Sequence, residues 1–524
     1  MTADPVVVDG ESLTPGDVDR VARHDAPVQV PEDVREGVRE SRQRIVDIVE
    51  SGEAVYGVNT GFGELVQERI PDNDIESLQQ NLVRSHAAGT GRDLTREEVR
   101  AMLVTRLNAL VKGYSGVRER IIDVLVKMLN EAVHPVVKAK GSLGASGDLA
   151  PLAHLALVVT GEGEATVDGE RLPGGEALKR KNIDPVTLRA KEGLGLINGT
   201  QLTVGLASLV VCDAERAMQA ADIAGAMTTE ATMSTTASSH PSIQRVRPHQ
   251  GQTESARNIR RLTRHSQIVE SHRNCDRVQD AYSLRCLPQV HGAVRDSVQH
   301  LREAVETELN SATDNPLVFP ADDADDRASG TAQAAVLSGG NFHGQPLALR
   351  LDYVTSGLAE LASISERRMD RMLNPNVQEA HLPPFLTTGS GLQSGYMIAQ
   401  YTAADLVSTN RSQGRPSMDS IPVSGNQEDH VSMSAQSAYV ARETVEATLR
   451  VVGIELACAA QAIDFVEDCS PGVGTNVAYQ IVREHVAHLD GDRPIHRDIE
   501  SMLALLRSDT LLEAVETELE EPLD

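Results

Sequence analysis

The segment SMSAQSAYVARETVEATLRVVGIELACAAQAIDF (432–465) carries the clearest helical pattern of the sequence. Its apolar residues recur at alternating spacings of four and three, at Val445, Leu449, Val452, Leu456, Ala459 and Ile463. This period places them on one stripe and predicts a helix from about Ser432 to Phe465. Because other helices cover such a stripe in a folded protein, the segment favours bundle packing.

The same spacing appears elsewhere in the downstream half of the chain. It recurs from Leu347 to Leu361, where Pro346 suits a first helical turn and Asn374-Pro375 predicts a stop. Apolar periodicity also predicts helices within 202–233 and 293–309. Strand patterns are weak, and the clearest is a hairpin over 164–172 that turns at Asp168-Gly169. We therefore expect a mainly α fold with a long central helical bundle.

The first two hundred residues differ from the rest. Shorter helices there are interrupted by Gly-rich segments at 56–63, 141–147 and 193–199. We predict a smaller, mixed N-terminal region at 1–200, followed at 201–524 by the long-helix bundle and a C-terminal helical region.

The charge of the chain excludes some classes of partner. Its 524 residues include 76 acidic and 49 basic side chains, with a formal net charge of −27. Nucleic acid is not an expected partner, because binding to phosphates requires clustered Lys and Arg. Only seven of the basic residues are Lys. An acidic, Lys-poor surface suits high ionic strength, where like charges are screened. We expect a halophilic protein; an ordinary acidic protein is the alternative.

Other features of the composition favour a cytoplasmic protein. The five Cys form no Cys-x-x-Cys pair and fit a reducing compartment. The first residues, MTADPVVVDGES, lack the basic and apolar regions of a signal peptide. Apolar runs such as 202–211 fall far short of the roughly 20 residues that span a bilayer. We expect a soluble, cytoplasmic chain with no membrane partner. We also expect no metal site, because the His and Cys residues lack ligand spacing.

The octapeptide GSLGASGD (141–148) is the sharpest local motif. Ser146 lacks the spacing of the G-x-S-x-G hydrolase turn, and we predict no strand before it; the Lys of a P-loop is absent too. Because Gly147 has no Cβ, its amide nitrogen can approach the carbonyl carbon of Ala145. Ring closure with loss of two waters, one from the Ser146 hydroxyl, yields 4-methylideneimidazol-5-one, an electrophile. A Gly-rich turn that caps the next helix is the alternative for this motif taken alone.

The scarce aromatic residues also lie in unusual places. The chain has eight Tyr, five Phe and no Trp. Tyr56, Phe62, Tyr282 and Phe342 all lie in polar segments rich in Gly or Asn rather than on apolar stripes. For each one alone, packing of a loop against the bundle is the better explanation; for the four together this explanation is weaker.

The segment GSLGASGDLAPLAH (141–154) resembles the signature of the aromatic amino-acid ammonia-lyases and aminomutases, which carry this prosthetic group. Seven further segments are similar to family blocks, in the family's order: YGVNTGFG (56–63), NLVRSHAAG (81–89), LINGTQ (196–201), QDAYSLRCLPQVHG (279–292), NSATDNPL (310–317), GGNFHG (339–344) and NQEDHVSM (426–433). The resemblance implies a carbon–nitrogen lyase with a helical fold resembling the aspartase/fumarase superfamily. It also implies a group formed from residues 145–147 with no diffusible cofactor, and a homotetramer with shared active sites.

The resemblance assigns roles to individual residues. Tyr56 matches the base that removes the β-proton of the substrate. Asn198 and Tyr282 match residues that position the ring-forming loop and the amino group. Arg285 matches the residue that binds the substrate carboxylate, a charge-assisted pairing suited to a guanidinium.

Four further matches, Gln279, Phe342, His86 and Glu428, line the substrate pocket of the family. Members that act on phenylalanine usually have apolar residues in the place of Ser85-His86 and, within a different block, Gln in the place of Glu428. A carboxylate and an imidazole suit a substrate that is itself an imidazole, because they can bond its two ring nitrogens. QEDHVSM (427–433) is similar to the block of the histidine-acting members. The implied activity is elimination of ammonia from L-histidine to give trans-urocanate, the first step of histidine degradation.

Three alternatives stay open. A tyrosine ammonia-lyase or aminomutase of the same family shares every catalytic residue except the imidazole-binding pair. His86 is compatible with tyrosine too, so Glu428 discriminates more. The other two alternatives are a fumarase-like lyase without the ring and a nonenzymatic paralogue used as an assembly partner. An intact mass separates these two from the ring-carrying enzymes, because ring formation removes two waters.

Thr409 and Gly425 depart from the usual block of histidine-acting members, which affects packing rather than chemistry.

Overall fold

Helices make up most of the computed structural model, which describes residues 4–52, 55, 57, 74–273, 277–323, 328–331, 334–389 and 391–524. The predicted mainly α fold is confirmed. Among the described residues the α-helices are α1 (Pro15–Arg23), α2 (Glu32–Ser51), α3 (Ile75–His86), α4 (Arg96–Val111), α5 (Glu119–Asn130), α6 (Leu149–Val159), α7 (Gly174–Arg180), α8 (Glu192–Ile197), α9 (Gln201–Ala231), α10 (Pro241–Val246), α11 (Gln250–Leu262), α12 (Gln267–Ser271), α13 (Tyr282–Arg285), α14 (Leu287–Leu309), α15 (Gln345–Leu373), α16 (Met397–Ser412), α17 (Ser434–Ile463), α18 (Val473–His485), α19 (His496–Arg507) and α20 (Thr510–Leu519).

The four longest of these helices are those that apolar periodicity predicts. α17 begins at Ser434 and ends at Ile463, and α15 ends at Leu373, directly before the predicted stop. α9 covers 201–231, and α14 begins earlier than predicted, at Leu287. Pro288 at the second position of α14 explains the earlier start, since Pro is well accommodated in a first turn.

The chain divides into two compact units, each drawn from three segments. Unit 1 comprises residues 1–212, 301–352 and 415–439, and unit 2 comprises 213–300, 353–414 and 440–524. α9, α14, α15 and α17 therefore contribute residues to both units. The predicted division after residue 200 stays a prediction.

The strands of the described residues are short and all lie in unit 1: β1 (Val6–Val7), β2 (Val28–Gln29), β3 (Thr90–Asp93), β4 (His134–Pro135), β5 (Lys138–Lys140), β6 (Glu164–Val167), β7 (Glu170–Pro173), β8 (Leu317–Pro320), β9 (Ser329–Gly330) and β10 (Ala334–Leu337). β1 pairs with β2 in parallel, β3 with β5 antiparallel, and β4-β6-β7 and β8-β10-β9 form three-stranded antiparallel sheets. The predicted hairpin is confirmed as β6–β7, and both turn residues, Asp168 and Gly169, have positive φ as a tight hairpin turn requires.

One prediction about unit 1 was wrong. β5 directly precedes the Gly141–Asp148 loop, although no strand was expected there. It pairs with β3 through Thr90↔Lys140 and Asp93↔Lys138. Three residues are too few for a period of two to be recognised in a sequence.

Unit 2 has a core of aliphatic and small residues. Side chains from α9, α15 and α17, including Ile223, Met227, Leu361 and Leu456, are fully buried there. No helix of the described residues has both the length and the apolar character to cross a membrane. No disulfide joins the cysteines that the structure describes, and Cys275 lies outside them.

Candidate active site

The segment from Gly141 to Asp148 forms a tight loop between β5 and α6. Ser146 and Gly147 have φ of 51° and 76°, in the left-handed region. Gly147 N donates to Gly144 O at 3.3 Å and so narrows the loop. A Cβ at Gly147 would lie 2.1 Å from Gly199 O, so only glycine fits. Ala145 and Ser146 are half-buried, and the loop therefore presents the predicted ring-forming residues at its turn.

Asp148 is the last residue of this loop and anchors it by hydrogen bonds. Its buried carboxylate accepts hydrogen bonds from Ser142 Oγ at 3.0 Å, Thr203 N at 2.8 Å and Thr203 Oγ1 at 3.2 Å. Burial raises the pKa of Asp148 to about 6, although these hydrogen bonds oppose the rise. Thr203 Oγ1 also lies 3.0 Å from Ser434 Oγ. The loop is thus tied to the first turns of α9 and α17.

Asn198 directly precedes a residue that is bonded to the loop. α8 ends at Ile197, and Asn198 is extended and 3% exposed. The following residue is bonded to the loop in both directions: Gly199 N donates to Ser146 O at 3.3 Å, and Asp148 N donates to Gly199 O at 2.7 Å. Asn198 Oδ1 is buried and has no hydrogen-bond partner among the described residues. Because buried polar atoms are normally bonded, this oxygen marks a place where a donor belongs.

The two segments that carry Phe342 and Glu428 border the same loop. A Cβ at Gly144 would lie 2.2 Å from Ser432 Oγ, and Met433 N donates to Leu143 O at 3.0 Å. The ring of His343 stacks on that of His430, with centroids 5.8 Å apart, so the 339–344 segment meets the 426–433 segment. Phe342 and Glu428 are both half-buried.

His86 is the last residue of α3. Its Nδ1 lies 2.8 Å from Leu82 O; because a carbonyl only accepts, Nδ1 carries the proton and Nε2 is the nitrogen left to face a ligand. Gly89 N donates to His154 Nε2 of α6 at 3.1 Å. Burial and the charge of Lys138 lower the pKa of His154, which suits this acceptor role. The segment that follows His86 therefore lies against the helix that begins after Asp148.

The remaining predicted residues lie in unit 2. Gln279 and Arg285 line a cavity of about 480 Å³ together with Thr235, Arg247, Cys286 and Gln289. The guanidinium carbon of Arg285 lies 4.8 Å from the centre of the Tyr282 ring. Asp280 holds the segment in place, accepting from Arg277 Nη1 at 3.0 Å and from Thr235 N at 2.9 Å.

The structure thus brings the predicted residues together in two groups, one within each unit. His86, Ala145, Ser146, Gly147 and Asn198 are joined by direct contacts of their segments in unit 1, and the segments of Phe342 and Glu428 adjoin them. Gln279, Tyr282 and Arg285 are neighbours in unit 2. Tyr56 lies outside the described residues.

Sequence reasoning missed the polar side chains that support the loop, Ser142, Thr203, Ser434 and Gln436. Gln436 Nε2 donates to Ser142 O. Ser142 lies within the 141–148 motif but had no role assigned to it, and no motif marks the other three, which are ordinary polar residues of α9 and α17. No group of three or more His, Cys, Asp or Glu side chains in the described part of the chain is arranged to hold a metal ion.

The helical fold and the Ala-Ser-Gly loop together define the class of protein, a carbon–nitrogen lyase of amino acids. The chain belongs to the aromatic amino acid lyase family, whose model matches residues 13–484.

Relatives and solved structures agree with this assignment. A probable histidine ammonia-lyase of Halobacterium salinarum is 62% identical over 524 residues, which is 100% of both chains. The crystal structure of histidine ammonia-lyase from Trypanosoma cruzi matches with a TM-score of 0.89 and 40% identity, covering 98% of this chain and 95% of that one. Tyrosine aminomutase from Streptomyces globisporus matches with a TM-score of 0.92 and 38% identity, covering 99% and 100%.

Proposed function

We propose that this chain is an ammonia-lyase that converts L-histidine to trans-urocanate and ammonia, the first step of histidine degradation. The observation that carries the proposal is the 62% identity, over the full length of both chains, to a probable histidine ammonia-lyase. Glu428 and His86, the pair expected to bind an imidazole, support the same substrate.

The prosthetic group would form from Ala145, Ser146 and Gly147. The amide nitrogen of Gly147 bonds to the carbonyl carbon of Ala145, whose oxygen leaves as water, and the Ser146 hydroxyl leaves with the α-hydrogen as a second water. The loop fits this chemistry: its turn residues have left-handed φ, and the adjacent Asn198 Oδ1 is a buried acceptor without a partner. The group supplies an electrophile for the substrate amine and so improves a poor leaving group.

The substrate carboxylate would bind Arg285. This guanidinium lines a cavity of about 480 Å³, which is the size expected of a pocket for a small molecule. Gln279 lines the same cavity. Tyr282, against which Arg285 packs, carries a hydroxyl suited to orient the amino group.

The imidazole side chain of the substrate would lie between His86 and Glu428. The Glu428 carboxylate accepts a hydrogen bond from the ring N–H of the substrate, and His86 bonds the other ring nitrogen. Phe342 provides an apolar wall. A phenol has one polar atom where an imidazole has two, so this pair favours histidine over tyrosine.

Tyr56 would be the base that takes the β-proton, and Asn198 would orient the ring-forming loop. A tyrosine serves as a base only when it is partly ionised, which a positive potential favours. The N-terminus of α6 begins directly after Asp148 and contributes partial positive charge near the loop.

A homotetramer with shared active sites is part of the proposal. Val278 and Tyr282 are 94% and 71% exposed in the single chain, although they flank residues assigned to the substrate. Exposed apolar surface of this kind is often covered in an assembly. The net charge of −27 supports a halophilic enzyme, and the absence of a Cys-x-x-Cys pair supports a reducing, cytoplasmic compartment.

The test is ultraviolet monitoring of the purified protein in concentrated potassium chloride, with L-histidine and L-tyrosine in parallel. Urocanate is conjugated and absorbs where histidine is nearly transparent, and the absence of Trp keeps the background low. A rise with histidine alone supports the proposal. A rise with tyrosine alone replaces it with tyrosine ammonia-lyase activity, and conversion of L-tyrosine to β-tyrosine, detected by chromatography, replaces it with aminomutase activity. If neither substrate gives a rise, and the intact mass of the folded protein shows that two waters have been lost, the proposal is refuted.

A further inference from the structure

Helix α4 carries two arginines that are almost completely buried. Arg100 is 2% exposed and Arg106 is 0% exposed, and the residues around them in α4 are mostly aliphatic. A buried guanidinium must be bonded to compensate for lost hydration. The two arginines find different partners, and only those of Arg106 belong to the candidate active site.

Arg106 binds the backbone segment that carries Asn198. Its Nη1 donates to Asn198 O at 2.7 Å and to Gln201 Oε1 at 2.6 Å. Its Nη2 donates to Gly195 O at 2.6 Å. All three acceptors lie within 195–201, which comprises the end of α8, the connection to α9 and the first residue of α9. The planar fork of a guanidinium can serve both carbonyls at once, which the single ammonium of a lysine cannot reproduce.

The opposite edge of this connection faces the ring-forming loop. Gly199 N and Gly199 O are the groups bonded to Ser146 O and Asp148 N. Gly199 has a φ of 133°, and a Cβ there would lie 2.4 Å from Gln201 Oε1 and 3.1 Å from Arg106 Nη1. The Asn198–Gly199 peptide is therefore enclosed between Arg106 and the loop, and a shift of the guanidinium displaces it.

The charge of Arg106 persists at neutral pH. Burial lowers its pKa to about 10, and the carboxylate of Asp314 opposes this effect. Asp314 is itself paired with the buried Lys191 at 2.6 Å. A lysine at position 106 would lose the fork, so this variant tests the geometry of the guanidinium.

We propose that Arg106 is a positioning residue of the lyase: its guanidinium holds the Asn198–Gly199 peptide in the position in which it can bond to the Ser146–Asp148 loop. The proposal rests on the proposed function for its consequences in catalysis. Arg106 reaches neither solvent nor substrate, so it acts through Asn198 and the loop.

The experiment compares Arg106→Lys and Arg106→Met with Arg100→Lys. Arg100 is the matched control, since it lies on the same helix and donates to Val21 O and Leu129 O, at 2.7 and 3.0 Å, away from the loop. Each full-length variant is characterised by kcat and KM with L-histidine, by intact mass, and by hydrogen exchange of peptides covering 141–148 and 195–203. Melting temperature reports general loss of stability.

For both Arg106 variants we expect kcat to fall on the order of 100-fold, the effect of a displacement of about 1 Å in a catalytic group. KM changes less, because Arg285 and not Asn198 is assigned to the carboxylate. In each Arg106 variant, a fraction of the protein keeps the mass of the two waters because the ring has not formed. Hydrogen exchange rises in both peptides. Arg100→Lys lowers the melting temperature to a similar degree and keeps the wild-type kcat, mass and exchange in these peptides.

Wild-type values in Arg106→Lys overturn the proposal. So does an equal loss of kcat in Arg106→Lys and Arg100→Lys, since both then reflect general destabilisation. A wild-type protein inactive on histidine refutes the proposed function alone, because exchange of the two peptides needs neither substrate nor ring and still decides the role of Arg106.

Discussion

Ser146 carries the hydroxyl whose loss completes the proposed prosthetic group, and no neighbouring side chain can replace it. Ser146→Ala cannot form the exocyclic methylidene, so we expect no turnover and no loss of the second water in the intact mass. Ser208→Ala is the control, because the Ser208 hydroxyl only bonds Val204 O within its own helix. Wild-type turnover in Ser146→Ala would refute the mechanism.

Glu428 is expected to select the substrate rather than to hold the fold. Its main chain accepts from Val423 N at 3.1 Å, and this bond survives a change of side chain. Glu428→Gln should lower kcat/KM for L-histidine at least about tenfold, since a hydrogen bond to a charged group contributes about 1.5–3 kcal/mol. The melting temperature should change little. The exposed neighbour Asp429 gives the control Asp429→Asn, and histidine kinetics that are equal in the two variants would remove Glu428 from the site.

For single residues, the sequence predicts those that belong to motifs and misses those that support the motifs through contacts. Gly147 could be recognised because a ring demands an amide without a Cβ beside it, and the structure adds that Gly199 O occupies the same space. Thr203 and Arg106 could not be recognised, because their roles depend on contacts with residues far away in sequence. The one available sign was an arginine inside the aliphatic pattern of α4.

Among the elements, length decides what can be predicted. α15 and α17 each contain several repeats of the apolar stripe, so their periodicity is unambiguous. β5 and α8 are shorter than two periods of their own patterns. The glycines at 193 and 195 look like interruptions, yet they lie in α8, where a Cβ at Gly193 would meet Gln79 O at 2.8 Å. Close packing, and not a break in the helix, explains that glycine.

The contact between the end of α9 and the start of α18 predicts a dependence of stability on pH. Glu230 is buried there and accepts from Gly472 N at 2.8 Å. Burial raises its pKa to about 7, although hydrogen bonds from Thr475, Ser266 and Gly472 oppose the rise. The folded protein therefore binds this proton more tightly than the unfolded chain does, and stability falls as pH increases from about 4.5 to about 7.

Glu230→Gln should remove this dependence. We expect the variant to be more stable than the wild type above pH 7, by up to about 3 kcal/mol, and the difference to shrink toward pH 5. Melting temperatures of both proteins across this range provide the measurement. Parallel curves for the two proteins would mean that the pKa of Glu230 is the same in the folded and unfolded states.

For the whole molecule, the excess of 27 negative charges predicts stabilisation by salt. Many surface arginines pair with carboxylates, but each exposed pair contributes at most about 1 kcal/mol, so repulsion among the unpaired carboxylates dominates. Raising potassium chloride from about 0.1 M to about 1 M shortens the screening length from about 10 Å to about 3 Å. We expect the melting temperature to rise over this interval.

A variant with fewer acidic residues tests the cause of that rise. Asp322 and Asp323 are exposed, so changing both to Asn removes negative charge without altering the core. The melting temperature of this variant should depend less steeply on salt than that of the wild type. A wild-type melting temperature that stays constant or falls with salt would contradict the argument from net charge.

The ring-forming loop is completed by residues distant from it in the chain. Leu143 and Gly144 take their positions against Met433 and Ser432, and Gln436 bonds Ser142 O. During synthesis, a nascent chain that has passed residue 150 still lacks these contacts until residue 436 has been added. We therefore expect the proposed ring to form only after most of the polypeptide has been made, and a chain truncated before residue 432 to keep Ala145-Ser146-Gly147 as an ordinary peptide.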